Sequence, residues 1–147
     1  QFVTNVMYSW IWAGKNMSGS LEYYFNGFGQ TGGRYDPVSL AANPDLLVRV
    51  SRGELFTLGR HYLSASVMIE MSPLWILTPT VFMNAEDPSA LFQLVTTYSL
   101  SDNMTFLGSV NIPIGPSGSE FGGIESGVPD RYLSTGAGVF AQLAWYF

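Results

Sequence analysis

Apolar residues recur at every second position in seven stretches of this chain, with polar or small residues between them. A period of two is the signature of a strand with one greasy face. The first stretch, Phe2 to Ala13, sets Val6, Tyr8, Trp10 and Trp12 on one file and Asn5, Met7 and Ser9 on the other. The second, about Ser20 to Gly29, sets Leu21, Tyr23 and Phe25 against Glu22, Tyr24 and Asn26. The third, about Arg60 to Ser72, sets Leu63, Ala65, Val67, Ile69 and Met71 against Ser64, Ser66, Met68 and Glu70. Leu74 to Ala85 follows, with Trp75, Leu77, Val81 and Met83 on the apolar file. Ala90 to Ser101 carries Phe92, Leu94, Tyr98 and Leu100, and Asn103 to Ile114 carries Met104, Phe106, Val110 and Ile112. Their polar files hold Thr78, Thr80 and Asn84, then Gln93, Thr97 and Ser99, then Thr105, Ser109 and Asn111. The seventh stretch, "AGVFAQLAWYF", aligns Val139, Ala141, Leu143, Trp145 and Phe147 against Phe140 and Gln142. Each is close to the roughly 9–11 residues that a tilted strand needs to cross a bilayer. Pro79 and Pro113 fall inside strands, where each removes a ladder donor and predicts a bulge or local gap.

The connections alternate in length. Gln30 to Gly59, Glu86 to Ser89 and Gly115 to Ser134 are the long set; Gly14 to Gly19, Ser72–Pro73 and the segment around Asp102 are short or modest. Short turns at one end and long loops at the other are the rhythm of a transmembrane antiparallel β-barrel. On this reading residues 30–59 and 115–134 are long extracellular loops, and residues 1–147 form one barrel domain or the C-terminal part of one. Trp12, Tyr23, Trp75, Tyr98, Trp145 and Phe147 are expected at one level, as an interfacial aromatic girdle. "NPDLLVRVSRG" predicts a short helix in the first long loop: Asn43 as N-cap, Pro44 at the first position, Asp45 in the first turn, Arg49 and Arg52 late, and Gly53 as stop.

Composition agrees with an apolar environment. Hydrophobic residues make up 47% of the chain and charged residues only 12%, against about a quarter charged in a typical soluble domain. No apolar run is long enough for a membrane-spanning helix. Cysteine is absent, which excludes disulfides and thiolate metal sites. A net charge of −5 with no basic stripe argues against nucleic acid as a partner.

The closing strand, with Val139, Leu143 and Trp145 on one file and Phe147 last, resembles the C-terminal β-signal of Gram-negative outer-membrane proteins. "SRGELFTLGRHYL" and "PIGPSGSEFGG" resemble pieces of larger, porin-like members of that class. The resemblance implies a bacterial outer-membrane location, contact with lipid and lipopolysaccharide, and recognition of the last strand by the barrel-assembly machinery. It also implies a wall with an apolar outside and a polar lumen.

Parity leaves the closure open. Barrels of this class have an even strand number, eight or more, and seven strands leave two edges unpaired in hydrocarbon, at several kcal/mol per orphaned group. A further strand around Val48 and Val50, additional strands from a larger barrel, or association of copies would each close it. Another polypeptide segment or copy is the expected completion.

The expected function is a passive porin-like channel for small polar solutes. The alternative is a small plugged barrel with a structural, adhesion or lipopolysaccharide-binding role, its lumen filled by Tyr24, Met68 and Phe140. Lumen candidates are Glu22, Glu70, Asn26, Gln93 and Gln142; loop-charge candidates are Arg34, Arg49, Arg52, Arg60 and Arg131. No enzyme is expected, since His61, the sole histidine, and Ser64 lie three apart on one strand and face opposite sides. No metal and no cofactor are expected: acids at "AEDPS" and "PSGSEFGG" are too few for a calcium loop, and "GFGQTGG" lacks the Lys-Ser/Thr and helix of a phosphate loop.

Overall fold

A computed structural model describes residues 1–33, 35–134 and 136–147. Seven long strands follow one another as antiparallel neighbours in a single sheet: β1 (Phe2–Trp12), β2 (Lys15–Phe25), β3 (His61–Ser72), β4 (Trp75–Asn84), β5 (Ser89–Ser101), β6 (Met104–Ile114) and β9 (Gly138–Trp145). Between β6 and β9 lies a small hairpin of β7 (Ile124–Glu125) and β8 (Tyr132–Leu133). The connection between β2 and β3 carries α1 (Pro37–Ala41) and α2 (Pro44–Ser51). No helix among the described residues is long and apolar enough to cross a membrane.

The expected all-β antiparallel class and seven-strand count are observed, and the sheet is open. β1 pairs only with β2 and β9 only with β6, so no seam joins the two ends. A self-contained eight-stranded barrel is therefore not what this chain forms. The strand considered around Val48 and Val50 is instead the second half of α2.

Directly opposed residues in antiparallel strands share a face, so the register tests the alternation strand by strand. One row runs Val6, Leu21, Ala65, Val81, Phe92 and Ile112; another runs Tyr8, Gly19, Val67, then Pro79, Leu94, Val110 and Val139. The apolar files read from the sequence fall on this one face, apart from Met71 and Leu100, which sit in the register shifts near the turns. The opposite face gathers Ser9, Ser18, Ser20, Ser64, Ser66, Thr78, Thr80, Gln93, Ser109, Asn111 and Gln142, with Glu22 and Glu70 as its carboxylates. Neither proline produces a bulge. At Pro79 the β3–β4 ladder passes from Ser66↔Thr80 to Ile69↔Leu77, leaving a local gap. The register shifts lie instead near the turn ends, at Glu70/Ser72 and Ser99/Ser101.

β2 differs from expectation. It starts at Lys15, five residues earlier than its periodicity suggested, after a two-residue turn of Ala13 (φ 51) and Gly14 (φ 73). Positive φ at both central residues is the type I′ geometry that matches strand twist. Asn16, Ser18 and Gly19 have weak strand propensity, and cross-strand pairing with β1 overrides it. The consequence is a correction to the girdle. Trp12, Trp75, Tyr98, Trp145 and Phe147 gather at the turn end: Trp12 is opposed to Lys15 beside the first turn, the row Trp75, Tyr98, Phe106, Leu143 lies beside the others, and Trp145 is opposed to Met104. Tyr23 does not: it is opposed to Thr4 and Leu63, eight residues further along β2, or about 26 Å towards the loop end.

The short turns lie at one end of the sheet and all long connections at the other, as expected. The predicted helix is α2, capped by the Asn43 side chain accepting from Leu46 N (3.4 Å) and followed by Gly53 with φ 69. α1, not expected, starts the same way: the Asp36 carboxylate accepts from Val38 N and Ser39 N before Pro37. Among the described residues the buried large apolar side chains are Tyr35, Leu46, Leu55 and Tyr62, all at the loop end. The core of this chain sits in its loops.

Candidate functional site

Two features of the structure bear on function: the polar face of the sheet and the loops packed over one end of it. The polar face is built by cross-strand pairs. Ser9 and Ser18 hydroxyls are 3.1 Å apart, and those of Ser20 and Ser66 3.0 Å. Gln93 Nε2 donates to Asn111 Oδ1 at 2.8 Å, and Asn16 Nδ2 to Glu70 Oε2 at 2.7 Å. Glu22 is opposed to Asn5 and Ser64, and no arginine or lysine bridge to either carboxylate is present among the described residues. Gln142 lies on the same face opposite Leu107. Glu22, Glu70, Gln93 and Gln142 are therefore brought to one polar wall.

Asn26 is not part of that wall. It follows the last residue of β2, is fully buried, and knots the start of the loop. Its Nδ2 reaches Thr57 O and Gly59 O at 3.4 Å each, and its Oδ1 accepts from Phe28 N. Asn is favoured in such self-bonding turns, and periodicity alone cannot distinguish it from a strand residue.

The side chains of Arg49, Arg52 and Arg60 hold loops. Arg49 pairs with Glu54 at 2.9 Å and lies 3.9 Å over the Phe28 ring, and Arg52 is 3.8 Å from Glu54. Arg60 Nε donates to Gly29 O, and the backbone of Arg131 closes the β7–β8 hairpin through Ser126. Arg34 lies outside the described residues. His61 sits on the apolar face, with Nδ1 2.6 Å from the Tyr23 hydroxyl and Nε2 3.7 Å from Glu86. Ser64 is on the other face.

Over the loop end of the polar face lies a cap that the sequence did not announce. Its hub is Glu120. Oε1 accepts from Leu58 N at 2.7 Å; Oε2 accepts from the Tyr62 hydroxyl at 2.5 Å and from Asn84 Nδ2 at 2.7 Å. The same Asn84 amide donates its other hydrogen to the Tyr35 hydroxyl (2.6 Å), while its Oδ1 accepts from Glu86 N. Tyr62 in turn accepts from Gly59 N. Glu120 N donates to Asp87 Oδ2 at 2.8 Å, and Asp87 Oδ1 accepts from the Ser89 hydroxyl. Burial pushes the Glu120 carboxyl above the ordinary carboxylate range, outweighing the hydrogen bonds from Tyr62, Leu58 and Asn84 that favour its charged form. The Tyr35 hydroxyl is likewise raised, first by burial and then by the Glu120 charge.

Aromatic packing completes the cap. Tyr62 stacks on Phe82 at 5.1 Å, and Phe121 meets Phe82 edge-on at 6.0 Å. A side chain at Gly59 would strike the Asn84 amide and the Tyr35 hydroxyl, so only glycine lets the chain pass there. The two segments singled out by resemblance thus meet: Leu55 to Tyr62 from one, Pro116 to Gly122 from the other. Beside them a cleft of about 670 Å³ opens between the loops, with Asp36, Asp87 and Glu125 in its lining. No group of three or more His, Cys, Asp or Glu side chains converges among the described residues.

No protein-family model, curated protein or solved structure matches this chain.

Proposed function

We propose that this chain is a wall of an outer-membrane β-barrel that forms a passive, porin-like channel for small polar solutes. The observation that carries the proposal is the register. Across seven strands it places all the apolar files on one face and hydroxyls, amides and two carboxylates on the other. Val6, Tyr8 and Trp12 on that face, 71%, 71% and 69% exposed, have no counterpart among the described residues to bury them in water, whereas lipid would solvate them; Met7 and Ile11 are exposed apolar residues of β1 on the other face. The turn-end aromatics then sit at one headgroup level and Tyr23 with His61 at the other. Water and solutes face the polar wall, where Glu22 and Glu70 bias passage towards cations.

In this reading the loop end is extracellular, its charges close to lipopolysaccharide. The C-terminal strand presents Val139, Leu143 and Trp145 on the lipid face, as an assembly signal read by the barrel-assembly machinery in a Gram-negative outer membrane. Transport is passive, with no catalytic step, cofactor or metal. The test is conductance of the folded protein in planar bilayers: stepwise ohmic currents are expected, and a silent membrane containing folded protein would reject the channel.

One observation favours a second reading, a plugged barrel that serves as a structural or lipopolysaccharide-binding element. Phe121 and Glu120 fold down on Tyr62, Phe82 and Asn84, on the polar face itself. If that cap spans the lumen, the silent bilayer is the expected result.

A further inference from the structure

The strand directions restrict what can close the wall. β1 runs from the loop end to the turn end, since its last residue, Trp12, enters the turn to Lys15. β9 runs the same way, because it is antiparallel to β6, and β6 ends at the loop end at Ile114. The two free edges are therefore parallel to one another. Pairing them within one chain, or between two copies, would create parallel seams in an otherwise antiparallel sheet.

The edges themselves are unprotected. Exposed edge strands in natural sheets carry charges, prolines or bulges that deter pairing. β1 reads FVTNVMYSWIW and β9 reads GVFAQLAW, with no charge and no proline in either. Their pairing with β2 and β6 is regular throughout, with no bulge. Both keep the facing of the sheet to the last strand, with Val6, Tyr8 and Trp10 at one edge and Val139, Ala141 and Leu143 at the other on the apolar face. An orphaned row of peptide groups along either edge is untenable in hydrocarbon.

From this we infer that the occupant of both edges is one β-segment, different in sequence from this chain, that contributes an odd number of strands. Only an odd number lets the first added strand run antiparallel to β9 and the last antiparallel to β1. The occupant has the alternation of this chain: apolar residues on the face continuous with Trp10 and Leu143, polar residues on the face continuous with Ser9 and Gln142. This inference rests on the barrel reading and adds the nature of the partner to it.

Cysteine cross-linking in the folded protein, extracted from the cells that make it, decides the matter, because the native chain has no cysteine. Ser9→Cys is combined in turn with Phe140→Cys and with Gln142→Cys, all on the polar face, and the protein is oxidised. Hydrogen exchange of the β1 and β9 amides and the intact mass of the folded assembly are then measured. The expected result has three parts: no disulfide within or between copies, edge amides as protected as those of β4, and a mass beyond that of this chain due to an odd-stranded segment. A disulfide within one chain would mean self-closure, and one between two copies would mean closure by a second copy. Either overturns the inference while the barrel stands, as would an added segment with an even strand count. Edge amides that exchange freely would overturn the barrel reading, and the inference with it.

Discussion

The sheet and the loop cap are stabilised in opposite ways. In the cap, Leu46 and Tyr62 are fully buried, Tyr35 and Leu55 nearly so, and each oxygen of Glu120 has a donor. That is the organisation of a small water-soluble core. In the sheet, the strands are paired and yet bury almost no large apolar side chain below their loop-end residues. Hydrogen bonds to neighbours hold each strand in register, but none of the described residues shields the apolar face. On the barrel reading proposed above, the difference teaches that the cap's folding is contained in this chain, whereas the sheet's stability depends on a solvent and a partner outside it.

The sharpest way to break that comparison is to remove the amphiphile. Depletion of detergent or lipid is expected to abolish the protection of β1 to β6 and β9 from hydrogen exchange, with aggregation. A sheet that stays protected and monomeric in water would erase the distinction. Next in size is truncation inside the cap. Tyr62→Ala removes a stacked, buried ring and is expected to cost about 3–5 kcal/mol. Hydrogen-exchange opening of the loops around Gly59 and Glu120 should report this, with the β5–β6 pairing little changed.

A reciprocal pair probes the sheet. Val110→Lys on the apolar face, midway between the two aromatic levels, is expected to cost about 2–4 kcal/mol in a bilayer. Ser109→Lys, one residue away on the polar face, should cost less than about 1 kcal/mol. Denaturant titrations in vesicles compare them, and equal costs would remove the assignment of faces.

Glu120→Gln comes next. A glutamine cannot accept on both sides, so the donors of Leu58, Tyr62 and Asn84 are not all satisfied, at about 1–3 kcal/mol. The pH dependence has a definite sign. Because the folded carboxyl sits above its ordinary range, the folded cap takes up a proton at a pH where the unfolded chain has lost it. Stability from this group is greatest at the acid end and falls as pH rises through the folded pKa. Loop opening measured by exchange should grow across that interval in the native protein and remain flat in the variant. The smallest effect on stability is expected from Glu22→Gln with Glu70→Gln, which should lower the cation-to-anion permeability ratio about threefold or more and leave folding unchanged. The reversal potential in a salt gradient reads it.

Much of the sheet was legible because alternation is a local property: a residue's face follows from its parity within the strand. The ends were less legible. Asn16, Ser18 and Gly19 have weak strand propensity, so periodicity alone starts β2 at Ser20 and leaves Tyr23 near the turn end, whereas pairing with β1 extends the strand to Lys15. α2 was legible through its Asn43 cap and Pro44, whereas α1, with an analogous Asp36–Pro37 start, is only five residues long and gives no periodicity. The cap was hidden for a different reason. Tyr62 lies between His61 and Leu63 as one more strand residue, Asn84 reads as the last member of a polar strand file, and Asp87 and Glu120 read as loop acids. Their convergence comes from contacts across as many as 62 residues of sequence. A large aromatic on an otherwise polar file, opposite Asn84, was the available clue.

All four tryptophans, Trp10, Trp12, Trp75 and Trp145, lie on the apolar face, so the unaltered protein reports on that face. The most direct measurement is quenching of its fluorescence in vesicles by brominated acyl chains, set against quenching by iodide in the water. Strong quenching by the brominated lipid and little by iodide is the predicted result. Efficient iodide quenching with no response to brominated lipid would contradict the account at its centre.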